Sequence, residues 1–136
     1  MVSDRVTFRS EHFAVTPGED RETNPGIFGQ SLASWVAAQL KGRGVPVERV
    51  VAEDFGRCVF VKQKPYRLWV TCASLDGRRD YWQMFLALEP TLLGRVFGNG
   101  DGQPDLIRLR EQYRAIVREI PGAADVEWEN AVPHGA

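Results

Sequence analysis

The chain has few of the residue types on which most metal, redox and hydrolytic sites depend. Its 136 residues include two cysteines, Cys58 and Cys72, and two histidines, His12 and His134. A zinc site usually needs four cysteine or histidine ligands, and no C-x-x-C pair is present. We therefore expect no metal and no cofactor, and we interpret both cysteines as buried, inert thiols in an apolar face.

The chain also lacks a charge excess and a long apolar run. Its formal net charge of −1 gives no basic excess of the kind that marks nucleic-acid binding. The longest stretch without charge, residues 25–40, is shorter than the roughly 20 residues of a membrane span. The N-terminus "MVSDRVTF" does not have the pattern of a signal peptide. These absences favour a cytoplasmic protein without membrane contact and argue against a nucleic acid as partner.

The segments rich in β-branched and aromatic residues follow one another closely. Strands are expected at 47–54, 57–63, 66–74 and 80–89, with one or two earlier strands near residues 8–15 and a short last strand after residue 121. The connections "DFG", "KP" and "LDGRR" are short and rich in turn formers. Short connections favour antiparallel neighbours in one sheet.

Two longer segments have the pattern of helices. The first is expected to begin at Pro25 with Asn24 as its N-cap and to end near Gly42. The second is expected to begin at Pro104. Its apolar residues recur at spacings of three and four, which places one stripe on the core: Leu106, Leu109, Tyr113, Ile116 and Ile120.

The resulting order β-α-β-β-β-β-α-β predicts an α+β fold. An antiparallel sheet with two main helices packed on one face buries all the apolar stripes with short connections. We expect one globular domain over residues 1–136, with frayed ends at residues 1–4 and 130–136.

The stretch "RETNPGIFGQ" raises the possibility of a phosphate-binding loop before the first helix. It has neither the Lys and Ser/Thr of a P-loop nor a G-x-G-x-x-G motif, and Glu19, Asp20 and Glu22 would repel a phosphate. Gly29, Ala33 and Ala37 instead form a row of small residues at steps of four. Such a row lets another backbone approach the helix closely, whether from this chain or from a partner.

The hairpin around Lys64 and Pro65 defines two faces of the sheet. If the strands pair so that the residue numbers of facing positions add to 130, Cys58 lies opposite Cys72 on one face. The other face would then carry Arg57, Val59, Val61, Arg67, Trp69 and Thr71, continued by Tyr81, Gln83 and Phe85. A mixture of aromatic residues and arginine is typical of protein interfaces. The alternative is that loops or the C-terminal segment with Trp128 cover this face.

Two further motifs contain acidic residues. Glu53 and Asp54 precede a tight turn, but paired carboxylates need a partner for hydrolysis, and His12 is the only histidine outside the C-terminal tail. The loop "NGDGQPD" superficially suggests a calcium site. Pro104 and Arg110 stand where an EF-hand needs glycine and a bidentate glutamate, so we interpret it as a solvated loop.

Three motifs together carry a resemblance. "ETNPGIFGQSLASWV", "EDFGRCVFV" and "YRLWVTCAS" are similar to a group of small bacterial single-domain proteins with the pattern E-T-N-P-G, then E-D-[FW]-G, then L-W-V. The resemblance covers residues 20–129. It implies a compact bacterial domain and brings no known activity or functional residues.

The absence of a catalytic constellation favours a non-enzymatic protein-binding domain. It would act as an inhibitor or immunity-type protein that neutralises a bacterial or phage partner. Arg67, Trp69 and Tyr81 are the candidate anchors, with Glu53 and Asp54 as charged contacts at the rim. The alternative is a small-molecule or hydrolytic cleft that uses Glu53, Asp54 and His12. A homodimer through the sheet face or the uncharged helix is compatible with either.

Overall fold

The computed structural model describes residues 1–97 and 101–129. The helices and strands, in chain order, are β1 (Val2–Arg9), α1 (Gln30–Gly42), β2 (Arg49–Glu53), β3 (Gly56–Lys62), β4 (Tyr66–Ser74), β5 (Tyr81–Pro90), α2 (Leu92–Phe97), α3 (Gln103–Val117) and β6 (Ala124–Trp128). A single 3-10 turn, Glu19–Arg21, precedes α1. In the described part of the chain, no helix is both long and apolar enough to cross a membrane.

The six strands form one antiparallel sheet in the order β2-β3-β4-β5-β1-β6. Strands β2 to β5 follow one another as a meander, as their short connections require. Strand β1 inserts between β5 and β6, so the first and last strands of the described residues are neighbours.

Helices α1 and α3 pack on the same face of the sheet, and the predicted α+β fold class is confirmed. The main core lies between these helices and the strands, where side chains at alternate strand positions meet the helical stripes. Its largest fully buried members are Trp82, Tyr113, Phe8, Leu32, Leu40, Leu68, Met84, Leu86, Leu106 and Ile116.

Helix α1 begins at Gln30, five residues later than the sequence predicts. Residues 24–28 instead run beside the turn after β2 and the end of β4. The Asn24 amide donates to the Asp54 carbonyl over 2.8 Å, and Phe28 and Ser74 exchange bonds of 2.8 Å. Because these contacts use the backbone of the segment, it is not free to form a helical turn.

The predicted close approach to the row of small residues is confirmed at Gly29. A Cβ atom at this position would lie 2.7 Å from the carbonyl oxygen of Cys72 in β4. A Cβ at Gly56, the first residue of β3, would lie 2.8 Å from the same oxygen. Two glycines therefore let separate segments of the chain contact one carbonyl group.

The N-terminal residues, expected to be frayed, belong to β1 from Val2 onward. The Met1 ammonium group donates to the Leu88 carbonyl over 3.0 Å. The expected strand near residues 13–15 does not form, and Phe13 packs against the rings of Trp35 and Trp82. The loop prediction at residues 98–100 and the fraying prediction at 130–136 lie outside the described residues.

Candidate functional site

The sheet face opposite α1 and α3, here called the outer face, carries a second apolar cluster. This cluster consists of strand residues from β2 to β5, and we call it the apolar strip: Val51, Cys58, Phe60, Trp69, Phe85 and Ala87. Among the described residues, neither long helix contributes to it. The strip therefore lies on the face against which neither long helix packs, although Cys58, Phe60, Trp69 and Ala87 are themselves buried.

Six of the nine residues predicted for this face lie on it. Arg67, Trp69 and Thr71 do share it with Tyr81, Gln83 and Phe85, since Thr71 pairs with Phe85 and Trp69 with Ala87. Positions 57, 59 and 61 were wrongly placed on it. Val59 and Val61 point into the main core, and Cys58 and Phe60 take the outer face.

A β-bulge explains this error of one residue. The pair Lys62 and Leu68, next to the turn, has the predicted register. An irregularity between Phe60 and Lys62 shifts the remaining pairs by one, so Phe60 faces Trp69 and Cys58 faces Thr71. Cys58 and Cys72 consequently lie on opposite faces of the sheet, and the predicted facing of the two thiols is wrong.

Phe60 and Trp69 form the centre of the apolar strip. Their ring centroids are 5.1 Å apart at an interplanar angle of 40°. The indole N–H of Trp69 donates to the Thr71 hydroxyl over 2.9 Å, which fixes the ring along its own strand. Only 7 % of Phe60 and 8 % of Trp69 are exposed, so both residues at the centre of the strip are buried.

Ion pairs border the apolar strip. Arg67 donates to Glu89 over 2.8 Å where β4 and β5 run side by side. On β1, Arg5 donates to Gln83 over 2.9 Å and lies 3.9 Å from Glu129. The outer face thus has an apolar centre and a charged border of both signs.

Glu53 lies on the same face at the far end of β2. Burial raises the pKa of the Cys58 thiol to about 11, and the carboxylate of Glu53 adds to this effect while a hydrogen bond with Thr71 opposes it. Glu53 and Asp54 are both exposed. Their charges are therefore available to a partner beside the apolar strip.

The five predicted contact residues do not form one compact group. Trp69 pairs with Ala87, and Tyr81 lies six residues from Ala87 on β5, which is about 20 Å along a strand. Tyr81 is half-buried, and the guanidinium carbon of Arg78 lies 5.9 Å from the centroid of the Tyr81 ring. Trp69 belongs to the strip, and Arg67 lies next to it at one end of the strands. Glu53 and Tyr81 both lie toward the other end, on β2 and β5 respectively.

The structure does not bring Glu53 and Asp54 to His12. Glu53 ends β2 and Asp54 follows it, whereas His12 follows β1, and β3, β4 and β5 lie between them. Four strand spacings correspond to about 19 Å. His12 is exposed and contacts the edge of the Phe13 ring. Within residues 1–97 and 101–129, no group of three or more His, Cys, Asp or Glu is placed to hold a metal ion.

Sequence reasoning missed two buried carboxylates. Glu19 is 6 % exposed and accepts hydrogen bonds from the amides of Gly29 and Gln30, each over 3.0 Å. Arg57, also buried, donates to the Glu19 carbonyl over 2.8 Å and pairs with Glu22 over 3.1 Å. The acids of "GEDRETNPG" therefore position the start of α1, a role that their spacing from the helix does not reveal.

Asp4 is the second missed carboxylate. Its side chain is 3 % exposed and pairs with Arg110 over 2.8 Å and with Arg114 over 2.6 Å. Tyr113 donates to the Asp4 carbonyl over 2.9 Å. This network attaches β1 to α3. The signal available in the sequence was the pair of arginines at positions 110 and 114, one helical turn apart.

Trp128 does not cover the outer face. It lies on β6, and its ring packs edge-on against Tyr113 of α3 at 6.0 Å. The alternative that this tryptophan shields the apolar strip is therefore wrong. The rest of the C-terminal segment, residues 130–136, lies outside the described residues.

We compared the chain with protein families, curated proteins and solved structures. No protein-family model matches the chain, and no curated protein and no solved structure shows a significant match to it.

Proposed function

We propose that this chain is a non-enzymatic protein-binding domain that uses the outer face of its sheet. The main observation that supports this proposal is the apolar strip, which consists of strand residues on the face opposite both long helices. We place the domain among inhibitor or immunity-type proteins, which neutralise a bacterial or phage protein by covering part of its surface.

The composition of the face supports this proposal. Stable interfaces have an apolar, aromatic centre and a polar rim. Here Phe60 and Trp69 form the centre, and the Arg67–Glu89 pair lies at the rim. Arginine and tryptophan are also the residue types most enriched among those that dominate binding energy.

The charges indicate the chemistry of the partner. Glu53 and Asp54 are exposed at one end of the strip, and neither takes part in an ion pair within the described residues. A partner would therefore present an apolar group to Phe60 and Trp69 and a basic group to Glu53 and Asp54. Electrostatic complementarity of this kind speeds association more than it strengthens binding.

The alternative of a hydrolytic or small-molecule cleft built from Glu53, Asp54 and His12 has less support. Three strands separate His12 from the two acids. A general base must come within hydrogen-bond reach of its target, which these three side chains cannot do together.

The test uses affinity capture with paired variants. Arg67→Glu reverses a charge beside the strip, and Arg118→Glu makes the same change at the exposed C-terminal end of α3, away from the outer face. A protein partner captured by the wild type and by Arg118→Glu, and lost with Arg67→Glu, would support the proposal. Equal recovery with both variants would contradict it.

A second copy of the chain is the other possible occupant. Light scattering at increasing concentration measures the mass of the particle. If the mass doubles and Arg67→Glu restores the monomer, the outer face serves self-association, and the inhibitor proposal has to be abandoned.

A further inference from the structure

A cavity of about 440 Å³ lies on the helical side of the sheet, away from the outer face. Three segments surround it: the turn that follows α1 (residues 43–46), neighbouring positions of β3 and β4, and the first half of α3. Small-molecule sites in proteins typically have volumes of about 300–1,000 Å³. The cavity is therefore large enough for a small ligand.

The inner wall of this cavity is apolar. Val61 and Leu68 come from the sheet, Leu109 from α3, and Val45 and Pro46 from the turn after α1. Val61, Leu68 and Leu109 also belong to the main core. A ligand in the cavity would thus contact an exposed edge of the hydrophobic core.

Two cationic groups of the lining lie beside one carboxylate. Lys62 lies at the end of β3 and Arg108 on α3, and both pair with Asp105, with 3.6 Å between Lys62 Nζ and the carboxylate. Tyr66 donates a further hydrogen bond to Asp105. This bond, together with Arg108 and Lys62, outweighs burial and holds the pKa of Asp105 below its usual range.

Asp105 therefore orients two cations without using all of their donors. An ammonium group has three N–H donors and a guanidinium group has five. The carboxylate of Asp105 cannot accept from all of these donors, because it also accepts a hydrogen bond from the Tyr66 hydroxyl. Lys62 and Arg108 retain donors that a ligand can use.

The turn after α1 adds a third cation to the lining. Arg43 donates to Glu119 over 2.7 Å and to the Gln112 side chain over 3.4 Å, which holds its guanidinium between α1 and α3. Glu111 is the second acidic residue of the lining, and it is exposed. The lining thus contains three cations and two carboxylates. One of these carboxylates, Asp105, already interacts with Lys62, Arg108 and Tyr66.

We propose that this cavity binds a small molecule with an apolar body and one anionic group, either a carboxylate or a phosphate. The apolar body contacts Val61, Leu68 and Leu109, and the anionic group accepts hydrogen bonds from Lys62, Arg108 and Arg43. This site is separate from the outer face and does not depend on the protein-binding proposal.

The test uses fluorescence titration with 8-anilinonaphthalene-1-sulfonate, a probe that is both apolar and anionic. Decanoate, decyl phosphate and decanol then compete with the bound probe. Because hydrogen bonds to charged groups are the strong ones, we expect the two anions to compete at least about tenfold better than decanol. The comparison of decanoate with decyl phosphate identifies the preferred anionic group.

Two variants locate the binding. Gln112→Trp places a large side chain in the cavity from a half-buried position on α3, and the double variant Lys62→Gln, Arg108→Gln removes two cations. We expect Gln112→Trp to abolish binding and the double variant to weaken it about tenfold or more. Arg118→Gln, at the end of the same helix, is the matched control and should leave binding unchanged.

Circular dichroism checks that each variant is folded, and Val45→Phe replaces Gln112→Trp if that variant unfolds. Unchanged probe binding in the folded cavity-filling variant would overturn the proposal. Equal competition by decanol and decanoate would overturn the assignment of an anionic ligand.

Discussion

The carboxylate of Glu19 lies 3.0 Å from the backbone nitrogen of Gly29, ten residues further along the chain. The same oxygen accepts the Gln30 amide, and the other accepts the Thr16 amide over 2.7 Å. The N-cap of α1 is a glycine without a side chain to satisfy these donors. Glu19 therefore caps the helix from a distance, where its negative charge also favours the helix dipole.

Replacing Glu19 by alanine should destabilise the protein because buried amide donors lose their acceptor. We expect the free energy of unfolding, measured by urea denaturation, to fall by about 1–3 kcal/mol. Glu11→Ala removes an exposed carboxylate and should change it by less than about 0.5 kcal/mol. Equal stability of the two variants would show that the Glu19 contacts contribute nothing.

Replacing Asp4 by asparagine should weaken the attachment of β1 to α3. Burial alone would raise the pKa of Asp4, but hydrogen bonds from Arg110 and Arg114 outweigh it and hold the pKa below its usual range. We expect Asp4→Asn to lower the free energy of unfolding by about 1–3 kcal/mol at pH 7. Urea denaturation of both proteins measures this difference, with Asp54→Asn as an exposed control.

The contribution of Asp4 should also depend on pH with a definite sign. Because the pKa of Asp4 is lower in the folded state than in the unfolded chain, its ionised carboxylate stabilises the protein. This contribution is complete at pH values above the unfolded-state pKa of an aspartate, about 3.9. The stability difference between wild type and Asp4→Asn should therefore shrink as the pH falls below about 4 toward the folded-state pKa. A difference that stays constant down to pH 2 would contradict this explanation.

Alanine at Gly29 should be destabilising because its Cβ would lie 2.7 Å from the Cys72 carbonyl oxygen. We expect a loss of about 1–3 kcal/mol in the free energy of unfolding, the usual cost of overpacking. Gly42→Ala is the matched control, since no heavy atom lies within 4 Å of a Cβ at that last residue of α1. It should stabilise the helix by up to about 1 kcal/mol, and a loss in both variants would point to backbone effects instead.

Neither cysteine should react with a thiol reagent in the folded protein. Cys58 and Cys72 are buried on opposite faces of the sheet, and burial raises the pKa of both thiols, for Cys58 to about 11. We expect slow colour development with Ellman's reagent at pH 8 and rapid reaction of two thiols in guanidinium chloride. Fast reaction of one thiol in the native protein would show that the sheet opens locally.

The sequence predicted the elements of the fold better than their contacts. The strands at 47–54, 57–63, 66–74 and 80–89 each contain or nearly coincide with an observed strand, because β-branched and aromatic residues between turn formers are a local signal. The helix at Pro104 begins within one residue of its predicted start.

The errors have long-range causes. The start of α1 depends on Glu19 and on Ser74, which lie 11 and 44 residues away from Gln30. The register of the β3–β4 hairpin depends on a bulge beyond Phe60 that no turn residue announces. Sequence patterns predict which residues are apolar, whereas the contacts that end a helix or shift a strand depend on residues far apart in the chain.

The same limit applies to the candidate sites. Aromatic and arginine content indicated the outer face, and the structure places Arg67 and Trp69 on it. The cavity beside Lys62 and Arg108 gave no sequence signal, since its lining comes from three separate segments. Tyr81 lies on the predicted face, yet about 20 Å along the strands from Trp69, because residue type gives no distance.

The position of β1 has a consequence for the order of folding. Val2 pairs with Ala87, and Val6 with Trp128, so β1 can pair only after segments more than 70 residues further along the chain are in place. The meander from β2 to β5 needs only neighbouring segments and can form earlier. Because distant pairings are slow to form, we expect the insertion of β1 between β5 and β6 to complete the sheet and to set the overall folding rate.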